Sequence, residues 1–435
     1  MDLNTTVTRP GHGSRYSAVK FLVVILFLAV AGLGCEDQKV QTVRWTEYEP
    51  VYMTQQEFRE SVGLEEPRTL GEPGKIYFYD NYLFVNEVNK GVHVIDNSSP
   101  SSPRKVGFIN IPANKDIAVS GNLLYADSNS DLLVFDITDM EKAELVKRIE
   151  DVFTFSANRP PAYPAQPVDH ARGIVVDWKE VEVQETCRGD CHRVRPDLFF
   201  TTGDNLASFS AEGGANTPGI GGSMARFAIT GDYLYTVDDI HLTTFDISSP
   251  QPAKVHAKEV GWRIETIFPN DKQLYIGSAS AMYIFDISNP AVPSQMSVYT
   301  HLTACDPVVV EGTHAFVTLR QSERCPRGVN RLEVVDVSDP FNPQKVAFYE
   351  MISPHGLGID NGNLFVSEGA YGLKILDATD PAEIQLLRHI RNIETYDVIP
   401  YNNVLMVTGQ SGILQYDYSN IENLKLLSEI PITGS

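Results

Sequence analysis

One strand motif recurs seven times along the chain, and this repetition limits the possible folds more than any other feature of the sequence. Each copy is a run of five residues, mostly apolar or β-branched, that ends in aspartate. The seven terminal residues are Asp96, Asp136, Asp246, Asp286, Asp336, Asp377 and Asp417. Successive aspartates lie 40, 110, 40, 50, 41 and 40 residues apart, so two intervals carry insertions and the others share one period.

Further strand patterns flank each copy of the motif. A second apolar strand precedes each aspartate, and a turn with Gly, Asn or Asp separates it from a strand farther upstream; a turn after the aspartate leads to a fourth. Four short strands per unit, joined by hairpin turns, are typical of a β-propeller blade. One such sheet cannot bury both faces alone, whereas sheets stacked around an axis bury each face against a neighbour. An array of β-sandwiches would need separate domains, which this regular period does not favour.

The sequence therefore predicts an all-β fold, a seven-bladed β-propeller of four-stranded antiparallel blades that spans residues 74–435. A large insertion, residues 152–223, separates blades 2 and 3. Insertions of this length are usually functional or disordered, and the strand pattern 173–183 favours an ordered cap. Two interpretations stay open, a structural lid over a blade edge and a surface for a ligand or partner.

The segment that precedes the propeller, residues 35–73, is interpreted as a polar tether followed by a short docking helix. Thr54 and Glu57 have the spacing of a capping box, and Met53 and Phe58 are placed as a hydrophobic staple. Arg68 to Gly74 leads into the first blade and is a candidate extra strand for the last one.

The repeated aspartate is interpreted as a scaffold residue and not as a catalytic one. Its carboxylate can accept a backbone N–H in the turn that it opens, helped by Ser or Thr two residues later. A carboxylate that recurs in every blade fits such a structural role, because an active site occurs once.

Three motif strands carry a family resemblance. Val134–Asp139, Ile284–Pro290 and Val334–Pro340 resemble the LVIVD repeat of bacterial β-propeller lipoproteins. The resemblance extends over nearly the whole chain after its first segment, and it implies an exported propeller without implying a specific activity.

The first 35 residues resemble a bacterial lipoprotein signal. Basic residues precede an apolar run, Phe21 to Gly34, which has the size of a signal-peptide core and is short for a membrane span. Residues 1–34 are therefore predicted to be a signal peptide, and Cys35 the lipidated residue that attaches the protein to a membrane. Plain secretion and a retained anchor are the alternatives. The resemblance implies the outer membrane of a Gram-negative cell envelope.

The other cysteines fall into two local pairs. In an exported protein disulfides are the default, and the candidates are Cys187, Cys191, Cys305 and Cys325. A metal site of Cys187, Cys191 and His192 is the alternative, although the spacing differs from that of common zinc sites.

A polar or charged residue enters the first strand of every blade. In a propeller these positions surround one mouth of the central channel, where they can form a salt-bridge ring around solvent or bind a polar ligand or cation. The ring comprises Lys75, Asp116, Arg226, Glu265, Asp306, His355 and Asp397.

One segment resembles the start of a calcium loop, with Asp127, Asn129 and Asp131 as candidate ligands. The segment lacks the glycine and the final glutamate of an EF-hand, and it lies where the repeat requires a hairpin turn. The turn is the preferred interpretation, and no cofactor is expected apart from this candidate calcium.

The expected function is binding, and not catalysis. The sequence contains no hydrolase elbow, zinc-protease, phosphate-loop or dinucleotide motif. Acidic residues outnumber basic ones 56 to 35, which argues against nucleic acid as a partner. We expect a monomeric, membrane-anchored propeller that binds an envelope protein, peptide or glycan. Two alternatives are a metal-assisted hydrolase or lyase that uses the channel-mouth carboxylates, and a structural subunit of an envelope complex.

Overall fold

The recurring strand motif forms the third strand of each blade, and almost every residue in it is buried except the terminal aspartate. In the computed structural model, the described residues are 40–71, 73–153, 160, 164–188, 220–302, 307–321 and 328–432. The predicted signal peptide and Cys35 lie outside them. Within these residues the chain forms the predicted seven-bladed β-propeller.

The segment before the first blade contains two strands and a helix, β1 (Val40–Met53), α1 (Gln55–Glu60) and β2 (Gly63–Glu65). The segment predicted to be a polar tether, residues 36–50, forms part of strand β1 from Val40 onward. The β-branched and aromatic residues of β1 favour an extended backbone, and the strand pairs with a strand of the insertion.

Blades 1 and 2 precede the insertion. The strands of blade 1 are β3 (Pro73–Tyr79), β4 (Tyr82–Glu87), β5 (Gly91–Asp96) and β6 (Arg104–Asn110). The strands of blade 2 are β7 (Ile117–Ser120), β8 (Leu123–Ser128), β9 (Asp131–Asp136) and β10 (Glu144–Ile149). Strand β2 pairs with β6, so blade 1 gains a strand at its outer edge.

The insertion contributes two strands, β11 (Ile174–Arg188), which pairs with β1, and β12 (Ile220–Gly221). Strand β12 pairs with β3 at the inner edge of blade 1. The large insertion therefore ends at the axis of the ring and not at its rim.

Five blades follow the insertion. Blade 3 comprises β13 (Phe227–Thr230), β14 (Tyr233–Val237), β15 (His241–Asp246) and β16 (Ala253–Glu259). Blade 4 comprises β17 (Ile264–Asn270), β18 (Gln273–Ser278), β19 (Ala281–Asp286) and β20 (Ser294–Thr300). Blade 5 comprises β21 (Val308–Glu311), β22 (His314–Leu319), β23 (Arg331–Asp336) and β24 (Gln344–Glu350).

The last two blades have the same antiparallel order. Blade 6 comprises β25 (Leu357–Asp360), β26 (Asn363–Ser367), β27 (Leu373–Asp377) and β28 (Gln385–Ile390). Blade 7 comprises β29 (Thr395–Tyr401), β30 (Val404–Gly409), β31 (Gly412–Asp417) and β32 (Lys425–Pro431). The first strands of neighbouring blades contact one another all the way round, which closes the ring.

Two compact units divide the described chain. One contains residues 40–45 and 182–188, where the hydroxyls of Thr42 and Thr186 lie 3.3 Å apart. The other unit contains the remaining described residues, 46–181 and 220–432, and so includes all seven blades. Within it, Thr54 and Glu57 form the capping box of α1, and Phe58 is 2% exposed and packs with Ala113 and Val176.

The predicted role of the repeated aspartate is confirmed in all seven blades. Each carboxylate accepts the backbone N–H of the Ser or Thr two residues later, at 2.8–3.0 Å. Hydrogen bonds from the side chain and then from the backbone of that Ser or Thr lower the pKa of every one of the seven carboxyls. The aspartate of the motif therefore stabilises the turn that follows the third strand.

Blades 1 and 7 meet without exchanging a strand among the described residues, because none of these strands belongs to both sheets. One parallel backbone bridge joins Leu70, in the segment before blade 1, to Ile432 at the end of the last blade. The buried amides of Asn97 and Gln415 also bond each other across this junction. We call these contacts the seam.

Candidate functional site

Three residues of the polar ring predicted from the sequence, Lys75, Asp116 and Asp397, are buried near the axis. Lys75 and Asp116, from blades 1 and 2, form an ion pair in which Nζ lies 3.0 Å from Oδ2. Both side chains are at least 93% buried. Desolvation lowers the pKa of Lys75, and the charge of Asp116 opposes that effect. A pair so far from water is costly to form and depends on further hydrogen bonds to its remaining atoms.

Asp116 has such further partners. Its Oδ2 accepts the backbone N–H groups of Arg226 and Phe227 at the start of blade 3. Its own backbone N–H donates to Oδ1 of Asp127 at 2.7 Å. Three blades therefore meet at this carboxylate.

Asp127 is a second carboxylate at the axis, and its pKa is raised to about 6 because it is desolvated. It accepts hydrogen bonds from the Lys115 and Asp116 N–H groups and from the Asn114 side-chain amide. The sequence singled out Asp127 for calcium, whereas in the fold its Oδ1 accepts protein N–H groups at the start of blade 2.

The other two calcium candidates also contact the protein. Asn129 has a φ of 54° and turns the hairpin between β8 and β9. Asp131 pairs with Arg148 at 2.8 Å and accepts the Asp151 N–H. The segment forms the hairpin turn that the repeat requires. Among the described residues, no three His, Cys, Asp or Glu side chains are grouped as metal ligands.

Asp397 of blade 7 is fully buried and lies between two glycines. A Cβ on Gly222 would lie 1.8 Å from Oδ2, and one on Gly356 would lie 2.1 Å from Oδ1. Oδ1 accepts the Ser223 N–H at 3.1 Å, whereas Oδ2 has no hydrogen-bond partner. Burial raises the pKa of this carboxyl well above its usual range. The geometry therefore favours a neutral acid.

The chain itself occupies the axis. We call Gly221 to Arg226, the end of the insertion, the axial segment; Gly221 to Ala225 are all buried. The Gly222 N–H donates to the Ile76 carbonyl at 3.2 Å, and the Ala225 carbonyl accepts the Ile267 N–H at 2.7 Å. This segment could not be predicted from the sequence, because its glycines and small residues show no strand period.

The remaining ring residues lie around this segment. Arg226 is half-buried, and its guanidinium lies 3.5 Å from an Asp239 oxygen. Glu265 is half-buried in β17. His355 is half-buried, with Nδ1 2.8 Å from the Ser353 carbonyl oxygen and its ring 5.8 Å from that of Tyr396. Asp306 lies outside the described residues.

The predicted disulfides involve cysteines whose side chains also lie outside the described residues. Cys191, Cys305 and Cys325 are not among the described residues, and Cys187 is described only as part of the backbone of β11. Both disulfide pairs and the alternative metal site stay predictions.

The sequence matches a known repeat family in five segments of these blades. The LVIVD repeat model matches residues 71–110, 113–149, 221–253, 271–301 and 327–350. The chain contains LVIVD repeats and folds as a β-propeller. None of the curated proteins matches the chain.

Solved structures resemble this LVIVD-repeat propeller at low sequence identity. A protein from Lactobacillus plantarum is 13% identical, with 83% of this chain and 97% of that chain covered and a TM-score of 0.52. A putative 6-phosphogluconolactonase from Bacteroides fragilis is 8% identical, with 84% and 98% covered and a TM-score of 0.51. A functionally unknown protein from Desulfotomaculum acetoxidans is 10% identical, with 81% and 95% covered and a TM-score of 0.50. At these identities the likeness extends to the fold alone.

One face of the LVIVD-repeat propeller carries exposed apolar side chains in neighbouring loops. Antiparallel order places the loops that join consecutive blades on the same face as the loops between second and third strands. Four such loops present large apolar residues, which we call the apolar arc: Trp262 at 69% exposure, Leu302 at 52%, Ile352 at 49% and Tyr371 at 50%. They extend from the junction of blades 3 and 4 to blade 6.

The insertion and the axial residues belong to the same face. The Asn89 side-chain amide, in the loop between β4 and β5, donates to Asp177 of β11 at 2.8 Å. Among the described residues, the insertion therefore contacts this side of the ring at blade 1, and exposed apolar residues lie on it over blades 4 to 6. Within the described residues, no helix has the length and apolar character needed to cross a membrane.

Proposed function

We propose that this protein is a binding module that uses the apolar arc to hold a protein, peptide or glycan at the cell envelope. The exposure of Trp262, Leu302, Ile352 and Tyr371 on one face carries the proposal. Single exposed apolar residues are ordinary on protein surfaces. Aromatic side chains grouped on one face are typical of contact sites, where they dominate the binding energy.

The axial geometry supports binding over catalysis. Asp116 accepts two backbone N–H groups and pairs with Lys75, and Asp397 lies against Gly222. These two carboxylates contact other parts of the chain, stabilise the ring and are buried away from solutes. A metal-assisted hydrolase would instead need open carboxylates with room for a cation and water, so stoichiometric metal in the purified protein would contradict this part of the proposal.

The proposal includes attachment of the protein to a membrane of the cell envelope. The resemblance of residues 1–35 to a lipoprotein signal supports attachment through Cys35, and bound lipid would leave the propeller face free to meet a partner. Cys35→Ser is expected to move the protein from the membrane fraction to the soluble fraction. Unchanged fractionation would remove the lipid anchor while leaving the binding face untouched.

Site-specific crosslinking tests the binding face. A photoreactive residue in place of Tyr371 is expected to crosslink a partner in cells of the source organism. The matched control replaces Phe341, which is 68% exposed in the loop between β23 and β24 on the opposite face. Trp262→Ala should reduce the crosslink from position 371. Equal crosslinking from both faces, or a yield that Trp262→Ala leaves unchanged, would contradict the proposal.

A further inference from the structure

The axial segment makes hydrogen bonds to most of the ring. It reaches blade 1 through the Gly222 N–H and blade 4 through the Ala225 carbonyl. It reaches blade 2 through the Arg226 N–H, which donates to Asp116. These bonds come from six consecutive residues that lead directly into blade 3.

Ser223 joins two further blades. Its N–H donates to Oδ1 of Asp397 in blade 7, and its Oγ accepts the Leu357 N–H of blade 6 at 2.7 Å. Ser223 itself is 1% exposed. One short segment therefore contacts blades 1, 2, 4, 6 and 7 and is covalently joined to blade 3.

The two ends of the ring meet without a shared strand. The first and last blades share no strand among the described residues, and the seam has one backbone bridge, Leu70 to Ile432. Blades 1 and 7 are not consecutive in the chain, so non-covalent contacts close the ring here.

Side chains add to these seam contacts. They include the amide pair of Asn97 and Gln415 and the Ser428 hydroxyl on the Pro100 carbonyl. The rings of Phe78 and Tyr401 also lie 5.0 Å apart across the seam, within an apolar core that both blades share.

We propose that the axial segment is the closure device of this propeller. The segment lies at the axis and forms hydrogen bonds with first strands on both sides of the seam. These hydrogen bonds stabilise the closed ring, as a strand shared between blades 1 and 7 would.

The close fit at Gly222 gives the direct test. Gly222→Ala places a methyl group 1.8 Å from Oδ2 of Asp397, a carboxylate that is itself fully buried, so the contact between the segment and blade 7 must give way. Hydrogen exchange at single-amide resolution should then rise at the N–H groups of Leu357 and Ile267, which bond the segment. Exchange should also rise in β3 and β29, beside the seam, while the outer strand β24 stays protected.

Two results would overturn the proposal. If Leu357 and Ile267 keep their protection in Gly222→Ala, the segment has not been displaced by the clash and the fit is not as described. If those two amides exchange faster while β3 and β29 do not, the segment only fills space and does not close the ring. Gly63→Ala is the matched control, because its added Cβ would meet nothing within 4 Å.

A gentler variant covers the case in which Gly222→Ala does not fold. Ser223→Ala keeps the backbone and removes only the Oγ that the Leu357 N–H donates to. It should raise exchange at Leu357 and in β29, and lower the melting temperature. Exchange and melting temperature equal to those of the parent protein would count against the closure role.

Discussion

The side-chain amides of Asn97 and Gln415, 318 positions apart in the sequence, bond each other reciprocally across the seam. Asn97 Nδ2 donates to Gln415 Oε1 at 2.9 Å, and Gln415 Nε2 donates to Asn97 Oδ1 at 2.7 Å. Both residues are at least 96% buried. The pair joins the first blade to the last, so it marks where the seam can be tested separately from the axis.

Removal of either amide should destabilise the protein. Gln415→Ala or Asn97→Ala leaves a buried partner unsatisfied, which costs about 1–3 kcal/mol. The double variant should lose less than the sum of the single losses, because neither amide remains to be left unpaired. Urea denaturation of the four proteins gives the coupling energy. Strictly additive losses would show that the two amides stabilise the protein independently.

The buried pair at the axis predicts a larger loss. Lys75→Met should lower the free energy of unfolding by about 3–5 kcal/mol, because it leaves Asp116 buried without its cation. Lys142→Met is the matched control, since its side chain is 75% exposed although it pairs with Asp139. The control should change stability by about 0.5 kcal/mol or less. Similar losses in both variants would contradict the importance of burial at Lys75.

The period of the sequence was sufficient to predict the blades and their turns. Asp286 and Ser288 recur in equivalent form in every blade, so hydrophobic spacing and local hydrogen bonding indicate the same structure. The axial segment has no such signal, because Gly221 and Gly222 neither alternate nor carry side chains that pack. Its position depends on contacts with blades distant in sequence.

The contacts of single ring residues also could not be predicted from the repeat. Asp116 and Asp397 occupy similar positions in the repeat, and the sequence predicts a common role. Asp116 pairs with Lys75, whereas Asp397 lies between Gly222 and Gly356. The difference comes from which residue of another blade faces each carboxylate, and the spacing of the repeat does not encode that.

The seven turn aspartates predict a loss of stability in acid. Hydrogen bonds from Ser288 lower the pKa of Asp286 below its usual 3.8. A group with a lowered pKa stabilises the fold above the unfolded pKa, and that stabilisation is lost as pH falls through the folded value. Asp286→Asn should therefore melt at a lower temperature than the parent protein at pH 7, with the difference shrinking in acid. A difference independent of pH would contradict the role of the carboxylate charge.

Asp127 and Asp397 should show the opposite dependence, because burial raises the pKa of both. Such groups stabilise the fold most below their unfolded pKa of 3.8, and this contribution is lost as pH rises through the folded value. The Asn variants lack it, so their free energy of unfolding should rise relative to the parent protein as pH increases. The rise is at most about 1.4 kcal/mol per pH unit.

In each variant the rise should end at the folded pKa of the carboxyl. For Asp127→Asn it should stop near pH 6, the folded pKa of that carboxyl. For Asp397→Asn, beside Ser223 and Gly222, it should also continue well above pH 3.8, because burial raises the folded pKa well above that value. Urea denaturation at a series of pH values measures both curves. A stability difference from the parent protein that stays constant with pH in Asp397→Asn would show that this carboxyl is ionised in the fold.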